Sequence, residues 1–161
     1  MDKLSNTLLK LLQENARYDI KTLSVITGAT EDEVSKKITE LEDSGLIVKY
    51  SAIINTEKME ESSVEALIEV KVVPQKLKGF DAFADELCHF NEVKSLYLMS
   101  GNFDLAVFVT GKSIVEVSRF VSEKLGVLDG IVSVATHFIL KKYKIEGQVC
   151  KKETIERQCI L

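Results

Sequence analysis

The chain predicts an α+β fold in two parts, a small helical front followed by a β-α-β-β-α-β back. Three observations carry this. Apolar residues recur at helical spacing three times before residue 46; the pattern then becomes strand-like; and two helix-patterned stretches interrupt the later strands. With 45% apolar and 29% charged residues among 161, the composition is that of a core-forming chain of one ordinary domain or two small ones.

Leu4, Leu8, Leu11 and Leu12 mark a first helix over about residues 4–15. Asp19 is the N-cap expected for a second, in which Leu23, Val25 and Ile26 are the residues expected to be buried. Gly28-Ala29 breaks that helix, and Thr30 with Glu33 three positions on forms a capping box. Val34, Ile38 and Leu41 then give the inward stripe of a third helix, which Gly45 ends. A helix followed by two short helices joined at a glycine turn is the helix-turn-helix arrangement. Leu46, Ile47, Val48, Tyr50, Ile53 and Ile54 are β-formers with partial alternation, which makes the front winged in type. Glu57–Ser63 is polar and reads as a linker.

The back begins with a strand over Val64–Val73, stopped by Pro74. Leu77, Phe80, Phe83, Ala84 and Leu87 mark a helix face. Val93–Ser100 and Phe103–Thr110 read as a hairpin about Gly101-Asn102. Ile114, Val117, Val121 and Leu125 mark the last helix, and Ile131–Tyr143 the last strand. This order is the split β-α-β, ferredoxin-like arrangement. The divisions expected are 1–50, a strand and linker over 51–63, the ferredoxin-like part over 64–145, and a polar tail over 146–161, read as a short strand with a helical or frayed end.

Several classes of function are disfavoured at once. No apolar run approaches the eighteen residues of a membrane span, and Asp2, Lys3, Asn6, Lys10 and Gln13 interrupt the start, so a signal peptide is not expected. Cys88, Cys150 and Cys159 make no disulfide framework, and with His89 and His137 they offer no metal-ligand spacing; a reducing cytoplasm is the plain expectation. No nucleophile elbow or phosphate-cradling loop is present, so no catalytic residue, cofactor or metal is assigned. Residues 1–61 hold 8 Lys/Arg against 12 Asp/Glu and carry the whole net charge of −4. DNA binding must therefore come from a local arrangement of charge and not from bulk attraction.

The third helix supplies one such arrangement. With Val34, Ile38 and Leu41 inward, Asp32, Lys36, Thr39 and Asp43 lie opposite, Glu31 and Ser35 on one flank, Glu33, Lys37 and Glu40 on the other. Asp32, Ser35, Lys36 and Thr39 are placed to meet base edges, Lys37 and Lys49 to hold phosphates, and Thr30 opens the set. Glu31-Asp32-Glu33 has a structural reading too, since acids at a helix start complement its dipole. A purely structural three-helix bundle fits the same pattern. In the back, Asp104 just after the glycine turn reads either as a turn aspartate bonded to its own backbone or as a carboxylate beside free turn N–H groups that receives the ammonium of a zwitterion. Thr136 could add a hydroxyl nearby, while His137 points to the other sheet face.

Taken together these stretches resemble the Lrp/AsnC family of transcriptional regulators. The front resembles it through LLKLLQENARYDIKTLSVITGATEDEVSKKITELEDSGLIVKYSAIIN, including Ile38, Leu41, Glu42, Gly45 and Ile47. The back does so through LYLMSGNFDLAVFV, with Gly101 and Asp104 at the family's G-x-x-D, and through GVLDGIVSVATHFILKKYK. The resemblance implies a DNA-binding front and a back that dimerises, senses a ligand and associates further, commonly into octamers. The implied effector is an amino acid held between dimers by Met99, Ser100, Gly101, Asn102 and Asp104, with Thr136. Lys37 stands where the family often has arginine, and the segment EGQVCKKETIERQCIL extends past the family's core. Two alternatives keep the same build: a DNA-independent amino-acid sensor, and a sirohaem-decarboxylase-like enzyme, against which the two histidines and a back with only Arg119 and Arg157 weigh.

Overall fold

The computed structural model describes residues 2–56, 59, 63–73 and 79–150, and the chain divides into two units, Met1–Ile53 and Ile54–Leu161.

The first unit holds α1 (Lys3–Glu14), α2 (Ile20–Thr27) and α3 (Glu31–Asp43). Each start has a side-chain cap for a backbone N–H that the helix itself leaves unbonded. Asp2 Oδ1 accepts from Ser5 N at 2.7 Å, and Asp19 Oδ1 from Thr22 N at 2.7 Å. Thr30 and Glu33 form the full capping box: Glu33 N donates to Thr30 Oγ1 at 3.3 Å, and Thr30 N donates to Glu33 Oε2 at 2.8 Å. Gly28, at φ +73°, closes α2 in the left-handed conformation, and Ser24 Oγ donates to Ala29 O at 2.6 Å across the turn. Leu8, Leu23, Val34 and Leu41 form the core, with Leu4, Leu11, Leu12, Ile38 and Ile47 half-buried around it.

Two expectations fail in this unit. Val25 and Ile26 are exposed, at 78% and 49%. An eight-residue helix has room for little more than one inward position, Leu23 takes it, and at 100° per residue Val25 lies nearly opposite. Nor does 46–54 form a strand: Leu46, Val48, Tyr50, Ile53 and Ile54 are exposed. β-propensity makes a strand only where a neighbour supplies the ladder, and no described segment of this chain does. Tyr50 is tied back to α3 by donating its hydroxyl to Glu42 Oε1 at 2.9 Å. Partial burial and that carboxylate push the phenol up to about 12.

The second unit is a four-stranded antiparallel sheet in the order β2-β3-β1-β4, formed by β1 (Val64–Val72), β2 (Val93–Leu98), β3 (Leu105–Gly111) and β4 (Ile131–Phe138). The helices α4 (Asp81–Cys88) and α5 (Ile114–Phe120) cover one face. Alternation along β1 sends Ala66, Ile68, Val70 and Val72 into that side. Leu105, Val107 and Val109 of β3 join them, and Phe83, Leu87, Val117, Phe120 and Leu125 pack from the helices. A single π turn over Val121–Leu125 prolongs α5, with Gly126 N donating to Val121 O at 2.7 Å. The other face carries Leu67, Glu69, Ala106, Phe108, Tyr97, Ala135 and His137, as the register requires.

Element lengths differ from expectation at two places. The hairpin connection is Met99–Asp104 rather than the two residues Gly101-Asn102, and its two ends are joined by Met99 N donating to Asp104 O. The last strand ends at Phe138 rather than Tyr143. Ile139 N still donates to Glu65 O, and β1 begins at Val64, which the register sets opposite Leu140, so β1 has no residue left to pair with 141–143. Beyond it, β5 (Lys144–Ile145) and β6 (Gln148–Val149) form a small hairpin whose turn residues Glu146 and Gly147 both have positive φ. Pro74, Leu77, most of the Glu57–Ser63 linker and the tail from residue 151 lie outside the described residues.

Gly130 precedes β4 at φ +92°, and a Cβ there would stand 2.7 Å from the tip of the buried Phe83 ring. Gly130→Ala is expected to cost about 2 kcal/mol through overpacking and backbone strain, read by urea unfolding. The three capping carboxylates give a pH dependence. The Ser5 N–H and Lys37 hold Asp2 down to about 2 from 3.8, and caps likewise lower Asp19 (Thr22) and Glu33 (Thr30). Depressed carboxyls stabilise above their unfolded values and lose that contribution as pH falls through the folded ones. The first unit should therefore lose helix signal by circular dichroism progressively below pH 4, towards pH 2, with Asp2 the last of the three to titrate.

Candidate functional site

On α3 the outward residues are arranged as the helical wheel requires. Asp32, Ser35, Lys36 and Thr39 are exposed on the surface opposite Val34 and Leu41. Thr39 Oγ1 donates to Ser35 O at 3.2 Å, which leaves its hydroxyl oxygen able to accept. Lys36 and Lys49 are exposed and, among the described residues, have no ion pair. Two of the seven candidates are differently engaged. The Thr30 hydroxyl accepts from Glu33 N and donates to Glu33 Oε2 at 2.8 Å, so it is committed to the cap. Lys37 Nζ lies 2.6 Å from Glu40 Oε2 and 3.2 Å from Asp2 Oδ2. Those carboxylates raise its ammonium above its ordinary value. No spacing rule pairs Lys37 with Asp2; an aspartate just ahead of the first apolar-periodic residue, Leu4, is the local signal for the α1 cap.

In the second unit the candidate effector residues gather at the sheet end that carries the β2–β3 connection. Met99, Ser100, Gly101 and Asn102 are exposed, and Asp104 is half-buried. Met99 N donates to Asp104 O at 2.8 Å, and Asp104 N donates to Val70 O at 3.0 Å. The Asp104 carboxylate is not bonded to its own turn among the described residues. Its Oδ2 accepts from Val72 N at 2.9 Å, a group on β1 and not on its own turn. That amide points to the β3 side of β1, and β1–β3 pairing ends at Val70 with Leu105, so no ladder partner claims it. Oδ1 has no protein partner among the described residues, so one carboxylate oxygen is anchored and the other is open to a cationic group.

Thr136 is not beside Asp104 within one chain. It pairs with Ile68 on the far side of β1, whereas Asp104 meets β1 at Val70 and Val72. Two to four residues along a strand is about 7–13 Å. Thr136 also shares the helix-covered face with Ile68, while His137 lies on the open face 3.5 Å from Glu69 Oε1, as its neighbour's opposite should. A cleft of about 200 Å³ elsewhere on this unit is lined by Thr56, Ser63, Glu65 and Ile139–Lys142, with the Glu65 carboxylate already paired to Lys142.

Removing the Asp104 carboxylate should strand the Val72 N–H. Asp104→Ala is expected to destabilise by about 1–2 kcal/mol and to accelerate hydrogen exchange at the Val72 amide well beyond its β1 neighbours. Unchanged exchange at Val72 would refute the anchoring role.

Comparison with known proteins bears on both units. Residues 65–149 match the Lrp/AsnC ligand binding domain. The HTH-type transcriptional regulator YugG of Bacillus subtilis is 46% identical over 143 residues, 88% of this chain and 86% of that one. FL11 of Pyrococcus abyssi, also an HTH-type transcriptional regulator, is 28% identical over 89% of this chain and 92% of its own. Among solved structures, the transcriptional regulator NMB0573 of Neisseria meningitidis in complex with L-Met superposes with a TM-score of 0.71 at 26% identity, covering 90% of this chain and 93% of that one. Among the described residues no helix is long and apolar enough to cross a membrane. A four-stranded ferredoxin-like sheet behind a capped three-helix unit, the matched ligand binding domain and these relatives agree: the chain belongs to the Lrp/AsnC family.

Proposed function

We propose that this chain is a cytoplasmic transcriptional regulator that reads duplex DNA through α3 and is modulated by a small amino acid bound at the Met99–Asp104 connection. The observation that carries the reading is the capped α3 presenting Asp32, Ser35, Lys36 and Thr39 outward, in a chain whose 46%-identical relative is an HTH-type transcriptional regulator. Ser35, Lys36 and Thr39 offer donors and acceptors to base edges, Asp32 an acceptor for a cytosine amino group, and Lys49 a phosphate contact. The acidic start of α3 opposes the phosphate backbone, so the reading requires selectivity from base contacts more than from charge.

For the effector, the open oxygen of Asp104 suits an ammonium, and Ser100, Gly101 and Asn102 surround it with small or polar groups. The L-Met complex of the Neisseria relative makes an amino acid the natural class. Thr136 enters such a site through a second copy of the chain, since its own copy holds it on the far side of β1. Two surfaces support self-association. The open sheet face carries Leu67, Ala106, Phe108 and Tyr97, and the β-prone stretch 46–54 has no strand partner among the described residues. A homodimer assembling further, with the octamer as the expected form, places paired α3 helices on half-sites about one helical turn, roughly 34 Å, apart.

Fluorescence anisotropy of the full chain against duplex from upstream of its own gene, with random duplex as control, tests this at two salt concentrations with and without an amino-acid pool that includes L-methionine. Selective binding by at least about 10³-fold, altered by the pool, is the expected result. Equal, weak binding to both duplexes would overturn the DNA reading; an unchanged response to every amino acid would overturn the effector reading.

A further inference from the structure

We infer that Lys37 is a positioning residue that ties α3 to the start of α1, and that it does not hold a DNA phosphate. The inference rests on the DNA-reading role of α3 proposed above and assigns one of its basic residues elsewhere. Lys37 lies on the flank of α3 shared with Glu33 and Glu40, not on the outward surface of Asp32, Lys36 and Thr39. Its side chain is 25% exposed, and its ammonium sits between Asp2 Oδ2 at 3.2 Å and Glu40 Oε2 at 2.6 Å. Glu40 is one turn along the same helix, but Asp2 belongs to the N-cap of α1. The Asp2 carboxylate is divided between two tasks: Oδ1 caps Ser5 N at 2.7 Å, and Oδ2 takes the Lys37 ammonium. Ser5 is buried, so the cap lies at the edge of the core. One carboxylate thus joins the first turn of α1 to the second turn of α3. Two of the three ammonium donors already face carboxylates, whose negative charge opposes an approaching phosphate, whereas Lys36, one residue earlier, is exposed and unpaired among the described residues.

The geometry has a consequence for recognition. A tie between α1 and α3 sets how the outward face of α3 is presented, so its loss should lower discrimination between sequences without removing a charge contact to DNA. The full chain is compared as wild type, Lys37→Gln, Lys37→Arg, Lys49→Gln and Asp2→Asn, the last keeping a good capping residue while removing the charge. For Lys49→Gln, the exposed phosphate contact proposed above, the dependence of log Kd on log salt should lose about 0.9 from its slope. For Lys37→Gln the slope should stay at the wild-type value, while preference for the selected duplex over random DNA falls about twofold to fivefold, the scale on which an exposed ion pair acts. Lys37→Arg, which can still bridge both carboxylates, should restore that preference. In thermal unfolding, Asp2→Asn and Lys37→Gln should be non-additive.

A slope reduced by about 0.9 in Lys37→Gln would overturn the inference, because it makes Lys37 a phosphate contact. So would an unchanged preference, which leaves Lys37 a stabilising residue only, or a loss that arginine fails to restore. If the wild-type chain selects no duplex, the DNA reading falls by itself. The tie is then judged by unfolding alone: non-additivity of the Asp2 and Lys37 variants upholds it, and additivity overturns it.

Discussion

The second unit depends on one strand having neighbours on both sides and a covered surface on one. β1 is bonded to β3 and β4, and its alternation commits Ala66, Ile68, Val70 and Val72 to the helix side. Because a one-residue slip would exchange the two faces, the buried set holds the register of all three strands at once. The same register places Asp104 against the end of β1, where β1–β3 pairing has stopped at Val70 with Leu105 and the Val72 amide is taken by its carboxylate. The anchoring of Asp104 is therefore a by-product of where that pairing ends. A ladder that ran on between β1 and β3 would have satisfied Val72 and left Asp104 to its own turn.

How far the molecule is readable in its sequence follows from whether a signal is local. The caps at Asp19 and at Thr30 with Glu33 are contacts over three residues, and each is present in the structure. The succession of strands and helices along the chain likewise follows from period, but the connection between β2 and β3 is longer than the glycine turn alone suggests. What depends on a distant partner was not readable. Asp104 finds Val72, thirty-two residues away in sequence, and Lys37 finds Asp2. Neither pairing leaves a trace in spacing. The ending of β4 is of the same kind: residues 139–143 look like strand, yet pairing stops because β1 has already begun at Val64.

The misplaced apolar residues are instructive for a similar reason. Leu23, Val25 and Ile26 look alike as a cluster, but a helix of eight residues beside a four-residue core offers an inward place to Leu23 alone. The stretch 46–54 has β-formers and no ladder. Propensity states what a segment would do if a partner were present, and says nothing of whether the partner lies in the same chain. Among the apolar groups left outside, Leu46, Val48, Tyr50, Ile53 and Ile54 lie on the 46–54 segment and Tyr97 on the open sheet face, while others are spread over α2, α5 and the loops.

Charge frames the remaining question of how such a unit could recognise DNA. With residues 1–61 carrying the whole net charge of −4, non-specific attraction to phosphate is weak from the outset. Lys37 is paired with Asp2 and Glu40, and Glu33, bonded in the capping box to the neutral N–H and hydroxyl of Thr30, keeps its negative charge. The first turns of α3 therefore set Glu31, Asp32 and Glu33 against Lys36, a net acidic surface. Such a surface gains little from any duplex and loses much from a wrong one, because an unmatched carboxylate in the groove is left facing acceptors. In that arrangement discrimination comes from rejection as much as from attraction, and doubling the face through self-association is the physical route by which modest single contacts become a useful affinity.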